Sequence, residues 1–380
     1  MTYAAVWSHT GKQEGESLNR ERALRAFRRQ PTDRIPHGEI FSNPEALRYI
    51  TGIDPWQRPR SAQTALIKRY ALDVWSLPPE DIPIPKLPEG DMFIDEDGRK
   101  TLRWGQDRTW HWDWGRKFKT IDDVLAYQPL EHLDHRDMDP VALDLSPSVD
   151  ELAAQFQRSL DKARASNGDL ALATGGFYNT LFMWPLLTFG WELFLELGAA
   201  HPEDTERLLR DFAEISRKVF RAWAKTDVEV FSSHDDICFQ AGPVFSPQWL
   251  RQRIYPYYEE FWGYLKDAGK TVLFICDGNV DQVADDVIAS GADGILSEMY
   301  TNWREYARKH PDKILMGDGD NRIIKTGDKD AIYAMVRGMA DLGRGLPGYF
   351  FCVSNHLTWD LPPEGVKHYF DAAEKYGARV

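Results

Sequence analysis

Eight short runs of apolar and β-branched residues, bounded by turn residues and alternating with helical patterns, constrain the fold of this chain more than any other feature. The runs occupy residues 35–41, 72–77, 170–176, 228–233, 271–276, 293–298, 313–318 and 348–354. The last four are spaced by about one βα unit each, which fits (β/α)8 winding better than a doubly wound sheet. The pattern therefore predicts an α/β fold, the (β/α)8 TIM barrel.

One segment interrupts the alternation. Residues 82–119 contain an Asp-Gly turn between alternating residues, followed by a Trp-rich return. We predict an antiparallel β-hairpin that is inserted after the second strand and lies over the barrel mouth. The alternative is a surface hairpin without a functional role. A chain of 380 residues with 43% hydrophobic content suits one large barrel or two ordinary domains. The strand count favours a single barrel domain over residues 1–380, with the hairpin at about 82–119.

Charge and cysteine content exclude several classes of partner. The formal charge of −13 argues against binding to nucleic acid or anionic lipid, because both need basic patches. No apolar run is long enough to span a membrane. Three cysteines without close pairing, and an N-terminus without a signal pattern, lead us to expect a reducing, cytoplasmic location. The oligomeric state is left open, with a homodimer as one option.

Active sites of this fold lie where the strands end, so the polar residues at those ends are the candidates. They are His37, Glu39, Glu80, Asp81, Tyr178, Asn179, His234, Asp235, Asp236, Cys276, Asp277, Asn279, Glu298, Asp318, Asp320, Asn321, Cys352, Asn355 and His356. Four consecutive strands, the fourth to the seventh, end in carboxylates. This arrangement predicts an acid-lined pocket.

Each group also has a structural interpretation. Asp235 and Asp236 would raise each other's pKa and make an acid available near neutral pH, but they could equally cap a helix. Strand alternation puts Cys276 and Asp277 on opposite faces, and a plain buried residue is the favoured interpretation of Cys276. Glu298 could form a structural salt bridge, and His356 could serve a turn.

Five segments carry a resemblance to a known family. They are RALRAFRRQPTDRIPHGEIF, DDICFQAGPVFSPQWLRQRIYPYYEEFW, CDGNVDQVADDVIASGADGI, GDGDNRIIKTGDKDAI and GYFFCVSNHLTWDLPPEGV. In this order they resemble the uroporphyrinogen decarboxylase superfamily over nearly the whole chain. The resemblance implies a (β/α)8 barrel, in agreement with the strand count.

The resemblance also distinguishes two chemistries. Tetrapyrrole decarboxylases of the superfamily carry an Arg-Gln-Ala-Gly-Arg stretch that holds substrate carboxylates, and the equivalent region here reads HGEIFSNPEALRY. Those arginines are missing, and an acid-lined pocket would repel a polycarboxylate. The chain is therefore more similar to the branch of corrinoid-dependent methyltransferases.

Members of that branch that methylate a thiol bind zinc through His-x-Cys-Gly-Asn at strand five and a Cys after strand eight. Aligned on Gly278 and Asn279, these positions are Ile275, Asp277 and Asn355 in this chain. The resemblance therefore implies no metal, zinc included.

The resulting hypothesis is a methyltransferase of the demethylase type. It would move a methyl group from a small substrate, an aromatic methyl ether or a methylated amine, to a corrinoid (cobalamin) on a partner protein. Asp236 or Asp277 would donate a proton. The catalytic residues are Asp236, Asp277 and Glu298, and the substrate-binding residues are His37, Tyr178, His234, Asn279, Asn355 and His356. The alternatives are a metal-free decarboxylase, that is a lyase acting on a small non-porphyrin acid, and a non-catalytic protein that binds a corrinoid or small ligand.

Overall fold

The computed structural model describes residues 19–84, 92–94, 100–104, 107–110, 117–136, 138, 141–354 and 356–379. The strands in these ranges are β1 (Met92–Ile94), β2 (Lys100–Trp104), β3 (Asp107–Trp110), β4 (Asp134–His135), β5 (Leu143–Asp144), β6 (Gly175–Phe177), β7 (Val230–His234), β8 (Cys238–Phe239), β9 (Gly242–Pro243), β10 (Thr271–Ile275), β11 (Gly294–Leu296) and β12 (Ile314–Met316).

Helices separate most of these strands. They are α1 (Asn19–Phe27), α2 (Pro44–Thr51), α3 (Pro59–Tyr70), α4 (Ile121–Leu125), α5 (Val149–Asn167), α6 (Met183–Phe189), α7 (Trp191–Ala200), α8 (Pro202–Ala224), α9 (Pro247–Arg253), α10 (Tyr255–Asp267), α11 (Ala284–Ala289), α12 (Trp303–Lys309), α13 (Asn321–Lys325), α14 (Lys329–Gly343) and α15 (Pro363–Tyr376). The hydroxyl of Ser246 accepts the N–H of Trp249, and Pro247 opens α9, which is a typical helix start.

A five-stranded parallel sheet lies at the centre, with the strand order β12-β11-β10-β7-β6. The longest ladder joins β10 to β7, from Thr271 opposite Val230 to Ile275 opposite His234. Every strand of this sheet overlaps one of the predicted runs between residues 170 and 318. The α/β class with a central parallel sheet is therefore confirmed.

Single parallel bridges extend the pairing beyond both edges of this sheet. They join Leu315 to Tyr349, Gly319 to Val353, His37 to Phe351, Gly38 to Val74 and Val74 to Leu172. The three runs at 35–41, 72–77 and 348–354 therefore take part in parallel pairing, but as isolated bridges instead of continuous ladders. Pro36 limits pairing in the first of these runs, because proline has no N–H to donate to a ladder.

The faces of the strands contribute to two apolar clusters. The larger lies between the strands and the helices and includes Phe231, Val272 and Phe274. The smaller includes Val230 and Leu273 from the opposite faces, together with residues of α1. This alternation is the period of two expected of a strand.

An ion-pair network connects α1 to the rest of the fold. Arg22 is only 4% exposed, and its guanidinium donates to Asp73 at 2.7 Å and to Asp33 at 2.8 Å. Asp73 also accepts the N–H of His37 at 2.7 Å. The network therefore joins α1 to the segments at 35–41 and 72–77.

The buried carboxylate of Asp235 lies at the N-terminus of α6. Asp235 accepts the N–H groups of Leu181, Phe182 and Met183 at 2.8, 2.7 and 2.7 Å, and the hydroxyl of Tyr258 at 2.7 Å. Burial raises the pKa of Asp235 to about 7, while the hydrogen bonds, that of Tyr258 first, oppose the rise. The helix-capping interpretation that the sequence left open therefore describes Asp235.

A separate antiparallel sheet, in the order β1-β2-β3, lies within the segment where the sequence predicted a hairpin. Its position over the barrel mouth stays a prediction. No helix of the described residues is both long and apolar enough to cross a membrane.

Replacing Arg22 with Met should lower the free energy of unfolding by about 3–5 kcal/mol, because Asp73 would stay buried without its partner. Urea unfolding measures this change. The matched control is Arg20→Met, which breaks the ion pair between Arg20 and Glu229. The Arg20 side chain is 31% exposed, so this variant should lower the free energy of unfolding by only about 0–1 kcal/mol. Equal losses in the two variants would contradict a special role for the buried pair.

Replacing Asp235 with Asn should lower the free energy of unfolding by about 1–3 kcal/mol, because an NH2 group would face N–H donors that now have an acceptor. Thermal and urea unfolding check the change. Asp267→Asn, at an exposed carboxylate of α10, is the control and should stay within about 0.5 kcal/mol. A neutral result at Asp235 would show that the cap is dispensable.

Candidate active site

Three loops after neighbouring parallel strands bring the predicted acidic residues together. Asp236 follows β7, Asp277 follows β10 and Glu298 follows β11. These strands are adjacent in the order β11-β10-β7, so their carboxyl ends share one edge of the sheet. The structure therefore places all three predicted catalytic carboxylates at the edge where this fold carries its active sites.

His234 joins two of these carboxylates. It is the last residue of β7 and lies opposite Ile275 of β10 in the ladder. One donor or acceptor atom from each of His234, Asp236 and Asp277 lies within 4.8 Å of the other two. Among the described residues, this is the group whose side chains could hold a metal ion.

Asp236 is the central acceptor of the cluster. Its Oδ1 lies 2.9 Å from Nε2 of His234 and accepts the N–H of Asp277 at 2.9 Å. A carboxylate oxygen only accepts, so this arrangement places a proton on Nε2 of the imidazole. The Asp236 side chain is 7% exposed. It therefore holds the loop after β7 against the loop after β10.

The environment of His234 is acidic. Burial lowers its pKa, but the negative charge of Asp236, the hydrogen bond to it, and the charges of Asp277 and Asp235 outweigh that effect and raise the pKa overall. The ring of Tyr178 stands edge-on against the imidazole, with ring centroids 4.1 Å apart. Tyr178, predicted to bind substrate, therefore contacts the cluster.

Glu298 lies against the turn that follows Asp277. Its Oε2 accepts the N–H of Gly278 at 2.7 Å. Burial raises the pKa of Glu298; the Gly278 amide opposes the rise and the charge of Asp236 adds to it. Gly278 has φ of 84°, and a Cβ there would lie 2.4 Å from the backbone of Phe239. Only glycine fits this turn.

Asn279 has a turn role in the structure. Its Oδ1 accepts the N–H of Asp281 at 2.9 Å, and its own N–H donates to Phe239 at 3.0 Å. Asn355, also predicted to bind substrate, lies outside the described residues.

His37 lies in a different cluster. Its Nε2 is 2.8 Å from Oε1 of Glu39, and both side chains are buried. The ring packs against Phe351, Tyr369 and Phe370, the last two from α15. The structure therefore places His37 between the strands and a helix, apart from His234.

His356 contacts residues of two other loops, Ser42 and Asn321. Its Nε2 is hydrogen-bonded to the hydroxyl of Ser42, and its carbonyl accepts from the side chain of Asn321 at 2.6 Å. Burial lowers the pKa of His356 to about 4, so the ring is neutral at pH 7. It links the loops after 35–41, 313–318 and 348–354.

Two pairs of polar residues carry a spacing signal in the sequence. His234 and Asp236, like His37 and Glu39, are two residues apart, so each pair points to the same side of an extended segment. That spacing predicts the hydrogen bonds that the structure contains. The partner of Glu39 on α15, Tyr369, has no comparable signal, because it is 330 residues away in sequence.

A cavity of about 230 Å³ lies on the inner face of the strands. Its lining is largely apolar and includes Trp75, Leu273, Ile275 and Met316, with the thiol-bearing Cys352. Ile275 pairs with His234 and precedes Asp277 by two residues. The lining does not include His234, Asp236, Asp277 or Glu298, so Ile275 connects the cavity to the carboxylate cluster only along the chain.

Comparison with known proteins agrees with the fold. The sequence model of the family named uroporphyrinogen decarboxylase (URO-D) matches residues 187–376, half of the 380-residue chain. No curated protein matches the chain.

The fold is similar to that of a methyltransferase from Methanosarcina mazei. The TM-score is 0.62 at 14% identity, over 95% of this chain and 99% of that one. Two structures of D-psicose 3-epimerase have lower TM-scores. The enzyme from Clostridium cellulolyticum H10 gives 0.37 at 10% identity, covering 59% of this chain and 83% of its own. The other gives 0.33 at 9% identity, covering 69% and 94%.

At 14% identity the methyltransferase shows a common fold and nothing about activity, and the epimerases are too dissimilar to add to it. The family match agrees with the sequence segments that carry the resemblance. The chain belongs to the uroporphyrinogen decarboxylase family.

Proposed function

We propose that this protein is a methyltransferase that moves a methyl group from a small methylated substrate to a corrinoid carried by a partner protein. The observation that carries the proposal is the cluster of His234, Asp236 and Asp277 at the carboxyl ends of adjacent strands. Glu298 adjoins it at the Gly278 turn. Such a cluster suits an ether or amine substrate and disfavours a polycarboxylate such as a porphyrinogen.

We also infer that the parallel pairing closes into a (β/α)8 barrel formed by the whole chain, with residues 82–119 inserted after the second strand. The support is the pairing of the segment at 35–41 on both of its sides, with Val74 on one side and with Phe351 on the other. A closed barrel requires that every strand has two neighbours in this way.

We propose that the substrate extends from the carboxylate cluster into the cavity on the inner face of the strands, whose size favours a small molecule. The cavity volume of about 230 Å³ lies below the range of about 300–1,000 Å³ typical of drug-sized ligands. A corrin macrocycle does not fit within it. The partner would therefore present its corrinoid, which accepts the methyl group, from outside, where Phe239 is 52% exposed beside the Gly278 turn.

Glu298 is the best-placed proton donor of the three carboxylates. The leaving oxygen of a methyl ether must gain a proton as the methyl group departs. Oδ1 of Asp236 is already engaged by two donors. Glu298 accepts one N–H on Oε2. No described residue hydrogen-bonds to its Oε1, so a proton there can reach the substrate. Asp236 and Asp277 then hold His234 and the substrate in place, with Tyr178 beside them.

The zinc positions of the thiol-methylating relatives do not fit this chain. Ile275 lines the cavity with an alkyl side chain that has no ligand atom, and Asp277 lies with His234 and Asp236. We propose that no zinc is held at the positions of Ile275, Asp277 and Asn355.

Glu298→Gln should lower turnover of an aromatic methyl ether by about 10²-fold to 10⁴-fold, the usual contribution of a positioned general acid. The amide still accepts the Gly278 N–H but delivers no proton. With a quaternary methylammonium substrate the amine leaves neutral, so the same variant should keep most of its turnover. Single-turnover rates with the two substrate classes measure the difference.

Glu259→Gln, at an exposed position of α10, is the matched control and should be unchanged with both substrates. Full ether turnover in the Glu298 variant would exclude Glu298 as the donor. Asp236→Asn and Asp277→Asn, assayed in the same way, would then decide between the remaining carboxylates.

Turnover should depend on added corrinoid. Methylated product should form on reduced cobalamin, or on a corrinoid protein, only when the enzyme is present, and mass spectrometry of the demethylated substrate measures it. Release of CO₂ from a small acid without corrinoid would instead indicate a decarboxylase. Tight corrinoid or ligand binding without any turnover would indicate a binding protein.

A further inference from the structure

We propose that His234, Asp236 and Asp277 form a binding site for one divalent metal cation, at positions different from those of the zinc ligands in related methyltransferases. The three side chains come from the loops after two adjacent strands, β7 and β10. Only Asp277 belongs to both sets of positions. The proposal concerns cation binding, so it does not depend on the proposed methyl transfer.

The distances suit a common ion. Imidazole nitrogens and carboxylate oxygens bind such cations at about 2.0–2.2 Å, so two neighbouring ligands of a tetrahedral ion are about 3.4 Å apart. The three candidate ligand atoms already lie within 4.8 Å of one another. Side-chain movements of up to about 1.4 Å, shared between the three residues, would complete the site.

One oxygen of Asp236 is open to a cation. Its Oδ1 takes the hydrogen bonds from His234 and from the Asp277 amide, and no described residue donates to its Oδ2. The side chain is only 7% exposed, but Oδ2 is not among the fully buried unpaired atoms, so it keeps contact with solvent. A cation that enters the site could therefore bind Oδ2 without breaking either hydrogen bond.

The surrounding charge is also negative. The charges that act on His234 are those of Asp236, Asp277 and Asp235, and the charge that acts on Glu298 is that of Asp236. Over the part of the chain that the structure describes, no lysine or arginine forms an ion pair with Asp236 or Glu298. A divalent cation would balance two of these charges.

The ligand chemistry selects the class of metal. One imidazole and two carboxylates suit manganese, ferrous iron or zinc better than a soft ion such as cuprous copper. Three protein ligands leave coordination positions open, which is typical of a catalytic metal. A cation held there would act as a Lewis acid towards a substrate oxygen or nitrogen.

Manganese is the sharpest probe, because it binds carboxylate and imidazole but not the buried thiols of Cys238 and Cys276 nearby. The purified full-length chain is stripped with chelator and titrated with Mn²⁺. Free Mn²⁺ is followed by electron paramagnetic resonance, and the melting temperature is recorded in parallel. We expect one Mn²⁺ per chain and a rise in the melting temperature on binding.

Asp277→Asn and His234→Gln should each weaken Mn²⁺ binding by more than about tenfold, since even outer partners of metal ligands are worth about 10-fold to 100-fold. Asp281→Asn is the matched control. It changes an exposed carboxylate of the same loop that accepts the N–H of Asn302, and it should bind Mn²⁺ like the native chain.

Two results would overturn the proposal. One is the absence of stoichiometric Mn²⁺ and Zn²⁺ binding by the native chain. The other is native affinity in either ligand variant whose circular dichroism matches that of the Asp281 control. Because two separate ligands are replaced, misfolding of one variant leaves the other to decide.

Discussion

The register between β7 and β10 is the constraint on which the site depends. Ile275 lies opposite His234, and one further bond, from the N–H of Asp235 to the carbonyl of Ile275 at 3.0 Å, extends the pairing past the strands. The next contact, from the Asp277 amide to Asp236, uses a side chain in place of a carbonyl. A slip of one residue would turn His234 and Asp236 to the other face and separate them from Asp277.

Side chains alternate between the two faces of the segment at 233–236. Ser233 points into the core, where its hydroxyl accepts the indole N–H of Trp262 at 2.9 Å. His234 and Asp236 point to the opposite side, towards Asp277, and are hydrogen-bonded to each other. Asp235, between them, points back to cap α6. Two adjacent aspartates therefore have opposite roles, which explains why the pair does not act as one shared acid.

Much of the fold and part of the site could be predicted because both follow local rules. Buried parallel strands are continuous apolar runs, so β7, β10, β11 and β12 were recognisable, and the strand-end rule identified Asp236, Asp277 and Glu298. The pairing of His356 with Ser42, 314 residues away, had no local signal. The grouping of His234 with Asp277 depends on register, which the sequence alone did not specify. The zinc positions of related methyltransferases correspond to Ile275, Asp277 and Asn355, a set that does not include His234.

Membership of the family does not bring the family's substrate with it, because the charge of the pocket decides what can enter. A porphyrinogen carries carboxylates that need cations, whereas the described loops after β7, β10 and β11 place Asp236, Asp277 and Glu298 together. Bringing further carboxylates there would add repulsion in a partly buried site, where screening by solvent is weak. The same excess of negative charge attracts a metal cation or an ammonium group and keeps a carboxylic acid protonated more easily. One electrostatic feature therefore underlies both proposals, and it arises from the parallel strands that hold these loops side by side.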